Sequence, residues 1–95
     1  MDEKLLKIIE HYGINAQQRK LQEEVFELQE AITLFEYDRG YVGSIIEELA
    51  DVFVLLNQIG TYYKIEEEEI IKVFNEKVDR TLKRIEQEKK DTYEE

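Results

Sequence analysis

The 95-residue chain contains no cysteine and no proline, and it has only four glycines and one histidine. Without cysteine there is no disulfide framework, thiolate metal site or cysteine nucleophile, and a single histidine cannot build a multi-histidine metal site. No apolar run approaches the roughly 18 residues that a membrane-spanning helix needs. The first residues also lack the charge-then-apolar order of a signal peptide. We therefore expect a soluble, cytoplasmic protein without a membrane partner.

Negative charge predominates, because 23 acidic and 13 basic side chains give a net charge of -10. A surface this acidic repels phosphates in the absence of metal, so we expect no nucleic-acid partner. The lack of proline and the abundance of glutamate and lysine favour helices. A hydrophobic content of 42% is too high for a disordered acidic chain. The composition therefore predicts a single all-α domain over residues 1–95.

Two helices are predicted in the first half of the chain. The first covers residues 2–12 and is closed by Gly13. The second begins near Asn15, with Gln18 as its capping-box partner, and stops near residues 38–40. Its apolar side chains alternate at spacings of four and three residues, as an amphipathic helix requires. They are Leu21, Val25, Leu28, Ile32 and Phe35.

Two further helices are predicted in the second half. The third begins at Ser44, with Glu47 in the capping-box position. The fourth begins within residues 66–69, four carboxylates that suit the positive end of a helix dipole. Residues of about 87–95 lack an apolar stripe and are expected to fray. The core face of the fourth helix consists of Ile70, Phe74, Val78, Leu82 and Ile85.

The third helix is apolar on every side, since residues 52–59 carry no charge. A helix of this kind is normally buried on every side, and three partner helices in so short a chain can hardly enclose it. We therefore predict a four-helix bundle whose third helix also packs at an oligomer interface, in a homodimer or homotetramer. The alternative is an exposed apolar patch, which soluble monomers seldom tolerate at this size.

Two pairs of carboxylates occur at a spacing of three residues, Glu24 with Glu27 and Glu48 with Asp51. This spacing places both members of a pair on one helix face. If the second and third helices pack antiparallel, the two pairs face each other around one cavity, which suits oxygen-preferring cations such as Mg²⁺. In so acidic a chain a single pair is normally a solvated surface. The second pair, however, immediately precedes the charge-free run, where unpaired carboxylates are costly to bury.

The fourth helix carries three basic side chains on one line, and they are Lys77, Arg80 and Arg84. Such a line is often a set of surface ion pairs, each contributing roughly 0–1 kcal/mol. Beside a carboxylate cavity it indicates a phosphate clamp, because arginine and lysine both bind phosphate. On the second helix, Gln17 and Lys20 lie nearly in line with the first carboxylate pair. They are candidates for nucleotide contact, although Lys20 is also placed to pair with Glu24.

The combined pattern resembles the signature of the MazG-like all-α nucleoside triphosphate pyrophosphohydrolases, which include dimeric dUTPases and phosphoribosyl-ATP pyrophosphohydrolases. Residues 17–28 resemble the first motif helix of that family, and residues 47–52 resemble the second. Residues 75–84, from Asn75 through Lys77 and Arg80 to Arg84, resemble its basic C-terminal helix. The resemblance covers roughly residues 12 to 86, and it implies no particular nucleotide.

By position, the resemblance implies that four carboxylates bind Mg²⁺, for which Mn²⁺ is a possible substitute. They are Glu24, Glu27, Glu48 and Asp51. Lys77, Arg80 and Arg84 would hold a triphosphate, and Asn75 matches a further family position. The expected reaction cleaves a nucleoside triphosphate between its α and β phosphates, with Glu27 or Glu47 orienting the water. Two alternatives remain open: a phosphoribosyl-ATP pyrophosphohydrolase-like enzyme, and a non-enzymatic acidic helical interaction module.

Overall fold

The computed structural model describes residues 3–93. Within this range the chain forms four helices and no strand, which confirms the predicted all-α class. The helices are α1 (Glu3–Tyr12), α2 (Ile14–Glu36), α3 (Val42–Tyr62) and α4 (Glu67–Tyr93). The chain divides after Lys64 into two compact units, the first with α1–α3 and the second with α4. None of the described helices is long and apolar enough to cross a bilayer. The bundle arrangement and the single domain stay predictions.

The junction between α1 and α2 is made by Gly13 and not by an asparagine cap. Gly13 has a φ of 88°, and its N–H donates to the carbonyl of Ile9 over 2.8 Å. Its own carbonyl accepts the N–H of Gln17 at 3.2 Å. The left-handed φ, which glycine adopts without strain, lets α2 begin directly at Ile14. The predicted capping box at Asn15 is therefore wrong, since Asn15 already lies inside the first turn.

A turn with one left-handed residue connects α2 to α3. Asp38 has a φ of 58°, and the N–H of Arg39 donates to the carbonyl of Leu34 over 2.9 Å. This bond folds the chain back over the end of α2, which stops close to the predicted place. The α2–α3 connection is short, so these two helices run antiparallel.

The start of α3 also differs from the prediction. Tyr41 is the N-cap residue and makes no side-chain capping bond, and the helix begins at Val42. Ser44 is therefore already helical, and its N–H donates to the carbonyl of Tyr41 over 3.0 Å. The Tyr41 ring lies over Gly43, where a Cβ would come within 2.7 Å of a ring carbon. The predicted capping box of Ser44 and Glu47 is wrong, because Ser44 already lies inside the first turn of α3.

In the first unit α2 packs on α3, and α1 packs against both. The buried residues of α2 recur every seven positions and are mostly polar: Gln17, Glu24 and Ala31. Half-buried Leu21 and Leu28 lie between them on the same seam. The other helices contribute the buried residues Ile9, Val52, Leu55 and Gln58. The interior of the α2–α3 pair is therefore partly polar, and it places a carboxylate and two amides where a core normally has hydrocarbon.

Apolar surface remains exposed on both units. On α3, Phe53, Val54 and Leu56 are 62%, 44% and 47% exposed. The single chain therefore does not enclose this helix, and the oligomer interface expected to cover it stays a prediction. The residues predicted as the core face of α4 are between 40% and 63% exposed, and their burial stays a prediction: Ile70, Phe74, Val78, Leu82 and Ile85.

The bounds of α4 bear on two further predictions. The helix begins at Glu67, within the predicted range, and the N–H of Glu66 donates to the Glu69 carboxylate over 3.1 Å. This is one half of a capping box. Residues 87–93 are helical, and residues 94 and 95 lie outside the described range. The fraying of residues 87–95 stays a prediction.

Candidate metal centre

Three of the four predicted carboxylates come together between α2 and α3. One carboxylate oxygen from each of Glu24, Glu27 and Glu48 lies within 4.8 Å of the other two. We call these three residues the acidic triad. Asp51 lies outside this group and is exposed, although its charge acts on Glu48. The predicted set of four is therefore a set of three with Asp51 beside it.

The acidic triad is partly buried, since Glu24 is buried, Glu48 is half-buried and Glu27 is exposed. Glu24 is 7% exposed, and its Oε2 atom is buried without a hydrogen-bond partner among the described residues. The Oε2 atom of Glu48 is likewise buried without a hydrogen-bond partner among the described residues. An unpaired buried polar atom typically costs about 1–3 kcal/mol, and more if it is charged. Two such oxygens in one cluster, with no proton donor supplied by the described residues, form a site to which a cation can bind.

Mutual repulsion and lost hydration raise two carboxyl pKa values in the acidic triad. The pKa of Glu48 rises to about 6, first because burial disfavours its charged form and then through its contacts with Glu24 and Glu27. The pKa of Glu27 is raised chiefly by the negative charge of Glu24, with partial desolvation adding to it. Both shifts favour a bound proton at these carboxylates, or a metal cation in its place.

Lys20 supplies the one ion pair that the acidic triad makes within the described residues. Its Nζ lies 3.4 Å from Glu24 Oε1, one helical turn away. This contact raises the pKa of Lys20, first through the hydrogen bond to Glu24 and then through its charge. The pairing anticipated for Lys20 is thereby confirmed. One ammonium group shared with three carboxylates leaves the cluster with excess negative charge.

Gln17 lies in a buried amide pair, and its contact with a nucleotide stays a prediction. Its Nε2 donates to Oε1 of Gln58 over 2.7 Å, and the two residues are 8% and 2% exposed. This amide pair joins α2 to α3 one turn or more from the acidic triad. Sequence reasoning missed Gln58, although it is a polar residue inside an otherwise apolar run, and that is a recognisable signal of a buried hydrogen bond.

The remaining predicted site residues are outside the acidic triad. Glu47 is exposed on α3 and is not one of the clustered carboxylates. The others lie exposed on α4, in the second unit: Asn75, Lys77, Arg80 and Arg84. On that helix the three basic side chains share one face by their spacing, while Asn75 lies away from it. Their role toward a phosphate stays a prediction.

Two pockets of the first unit adjoin the acidic triad. The larger, of about 530 Å³, is lined by Glu24, Asp51 and Lys20 and by the buried amide pair, and we call it the amide pocket. Other parts of its wall are formed by Tyr12, Arg19, Val54 and Leu55. The smaller, of about 360 Å³, lies at the α2–α3 turn, and we call it the turn pocket. Its lining includes Glu27, Arg39, Tyr41, Ser44 and Glu48.

The two pockets reach different members of the acidic triad. Glu24 lines the amide pocket, whereas Glu27 and Glu48 line the turn pocket. Because all three carboxylates approach within 4.8 Å, a cation held among them is adjacent to both pockets.

Comparisons with family models, with curated proteins and with solved structures found no match to this chain.

Proposed function

We propose that this protein is a Mg²⁺-dependent nucleoside triphosphate pyrophosphohydrolase of the cytoplasm. It would cleave a nucleoside or deoxynucleoside triphosphate between the α and β phosphates, giving a nucleoside monophosphate and pyrophosphate. The observation that carries the proposal is the acidic triad, with its two buried oxygens that lack a hydrogen-bond partner. The choice of Mg²⁺ and of this reaction rests on the sequence resemblance, together with the preference of hard cations for carboxylate oxygens.

The residues of the acidic triad fit a hard divalent cation by charge and by ligand type. Glu24, Glu27 and Glu48 would each supply an oxygen, with Mn²⁺ as a substitute for Mg²⁺. When bound, Mg²⁺ supplies a Lewis acid that offsets negative charge on phosphate oxygens and makes a water more acidic. Asp51 stands beside the cluster, where it can orient water by hydrogen bonding.

Among the two carboxylates considered as the base, we assign the role to Glu27. It belongs to the acidic triad, whereas Glu47 lies outside that group. In the reaction, the water oxygen forms a bond to the α-phosphorus and loses its proton to Glu27. The bond from the α-phosphorus to the bridging oxygen breaks, and its electron pair leaves with pyrophosphate.

The exposed apolar face of α3 supports a second part of the proposal, a homodimer or homotetramer. Phe53 is 62% exposed and lies in a segment without charge, residues 52–59. Sedimentation velocity at micromolar concentration should show an oligomer, and Phe53→Lys should shift it toward the monomer. A monomer at all concentrations would mean that the apolar face has another purpose.

The enzymatic proposal is tested with a panel of nucleoside and deoxynucleoside triphosphates, including phosphoribosyl-ATP, in the presence of Mg²⁺. Products are separated so that monophosphate plus pyrophosphate is distinguished from diphosphate plus phosphate. Glu48→Gln should abolish turnover while preserving the helical circular-dichroism spectrum. Glu36→Gln is the matched control, because it removes one exposed α2 charge outside both pockets.

The outcomes separate the candidate functions. Monophosphate and pyrophosphate that disappear with EDTA and in Glu48→Gln would support the proposal, and the panel would rank the substrates. Preference for phosphoribosyl-ATP would favour the related enzyme. No turnover together with no Mg²⁺ binding by calorimetry would leave the acidic helical interaction module as the better account.

A further inference from the structure

Lys20 is the one positive group that forms an ion pair with the acidic triad within residues 3–93. Its Nζ atom lies 3.4 Å from Oε1 of Glu24, and no second ion pair reaches the cluster. The arginines that line the neighbouring pockets, Arg19 in the amide pocket and Arg39 in the turn pocket, form no ion pair with it. Without metal, the ammonium of Lys20 is therefore the counter-ion of the three carboxylates.

Lys20 satisfies only part of the acidic triad. Its ammonium contacts one oxygen, while the Oε2 atoms of Glu24 and Glu48 stay buried without a hydrogen-bond partner among the described residues. The two halves of the pair also differ in exposure, since the lysine side chain is 54% exposed and the glutamate side chain 9%. The carboxylate is thus held by the fold, whereas the lysine reaches it from solvent on a flexible four-carbon stem. When a stronger cation arrives, the lysine is the half of the pair that can move.

A lysine and a glutamate four residues apart on a helix are often an incidental surface pair. Such pairs contribute little to stability, and the order with lysine first is the less favourable of the two. Local helix geometry therefore gives little reason for the contact. This pair differs from a surface pair because Glu24 is only 7% exposed and belongs to a cluster with excess negative charge.

A divalent cation at the acidic triad has to share Glu24 with Lys20. One oxygen from each of the three glutamates lies within 4.8 Å of the other two, so a cation among them contacts the same carboxylate as the ammonium. Two positive groups on one carboxylate repel each other at short range. The divalent cation interacts with three carboxylates and the ammonium with one, so the cation should displace the lysine.

We infer that Lys20 is an internal counter-ion of the acidic triad, which a divalent cation displaces from Glu24 when it binds. The inference rests on the metal centre of the proposed function and adds to it a residue that sets the concentration of free Mg²⁺ at which the centre fills. By reciprocal linkage, the free energy that the ion pair contributes without metal is subtracted from the binding of the metal. The displaced ammonium stays at the wall of the amide pocket, which Lys20 lines.

The test is titration calorimetry with MgCl₂ alone, at pH 8 and fixed ionic strength, on the wild type and four variants. At this pH the carboxyl group of Glu48, with a pKa of about 6, is ionised, so proton release adds little to the signal. Lys20→Met removes the competing charge and should bind Mg²⁺ at least about threefold more tightly, because the pair lies in strength between a surface ion pair and a hydrogen bond to a buried charge. Lys20→Gln, which keeps a hydrogen-bond donor without the charge, should also bind Mg²⁺ more tightly than the wild type.

The other two variants are controls. Lys20→Arg keeps the positive charge, so it should bind Mg²⁺ no more tightly than the wild type. Lys7→Met removes an exposed positive charge of α1 outside both pockets. Its Mg²⁺ affinity should stay within about twofold of the wild-type value, because salt screens a distant surface charge.

The outcomes separate failure of the inference from failure of the proposed function. Unchanged or weaker Mg²⁺ binding by Lys20→Met would overturn the inference, since Lys20 would then be passive or would hold Glu24 in place for the metal. Equal tightening in Lys7→Met would also overturn it, because the effect would then come from net charge. In both cases the wild type still binds Mg²⁺ and the proposed function stands. The absence of Mg²⁺ binding in the wild type and in every variant would remove the metal centre itself, and the proposed function and the inference with it.

Thermal melting followed by circular dichroism gives a second readout and checks that the variants fold. In EDTA, Lys20→Met should melt at a lower temperature than the wild type, because the acidic triad has lost its counter-ion. The same concentration of free Mg²⁺ should then raise the melting temperature of Lys20→Met by more than that of the wild type. An equal or smaller rise would contradict the displacement of Lys20.

Discussion

The buried amide pair of Gln17 and Gln58 makes a quantitative prediction about the first unit. Replacing Gln58 with leucine removes the acceptor of a 2.7 Å hydrogen bond and leaves the Gln17 amide buried. An unsatisfied buried amide costs about 1–3 kcal/mol, and Gln58 is only 2% exposed, so the upper part of this range applies. Gln17→Leu should have a similar cost, because it strands the partner amide.

The double variant distinguishes a hydrogen bond from two independent packing losses. When both amides are replaced by leucine, no polar group remains unsatisfied, and the cost should fall to about 1 kcal/mol or less. Because the two single losses sum to at least about 4 kcal/mol, the coupling energy of the double-mutant cycle should be at least about 3 kcal/mol in magnitude. For a domain of this size, each kcal/mol corresponds to about 4–8 °C in melting temperature.

The assay is urea unfolding followed by helical circular dichroism, at one fixed protein concentration so that association does not contribute. Gln18→Leu is the matched control, because Gln18 is the exposed neighbour of Gln17 on α2 and should change stability by less than about 0.5 kcal/mol. Single variants as stable as the wild type, or a double variant equal to the sum of the singles, would refute the amide pair. Gln17 would then be available for the nucleotide contact first expected of it.

Three further predictions concern the acidic triad and the core. In EDTA, the pKa of Glu48 is about 6 in the folded state, against an ordinary value of 4.5, so the folded state binds the proton more tightly. The stability due to this group should therefore fall as pH rises between these two values. Urea unfolding at several pH values should show a different slope of unfolding free energy against pH for the wild type and for Glu48→Gln. Mg²⁺ at 100 times its dissociation constant should add ~2.7 kcal/mol to the free energy of unfolding and so raise the melting temperature. Glu48→Gln should lose most of this increase. An unchanged wild-type melting temperature at millimolar Mg²⁺ would contradict the metal centre. Leu55 is 4% exposed, so Leu55→Ala should lower the free energy of unfolding in urea by about 2–5 kcal/mol. Leu34 is 40% exposed, so Leu34→Ala should lower it by less than about 1 kcal/mol. Equal losses for the two variants would contradict the packing of α3.

Local sequence determined the helices themselves. Apolar spacing, the absence of proline and the placing of Gly13 are signals within a few residues, and they predicted four helices close to the observed ones. Local sequence also proposed the carboxylate pairs, because a spacing of three residues fixes the shared face of a helix. The same reasoning failed at the helix starts, where Asn15 and Ser44 are good caps but Gly13 and Tyr41 are the N-cap residues.

Tertiary structure alone decided which of these residues meet. The pairing of α2 with α3 sets the register that joins Glu48 to Glu24 and Glu27 and leaves Asp51 outside, and a periodic pattern on one helix contains no information about register on another. Burial likewise follows from packing, which alone places Gln17 in a hydrogen-bonded amide pair with Gln58. Arg39 lies in a turn, and only the fold places it in a pocket lined by the carboxylates of Glu27, Glu30 and Glu48.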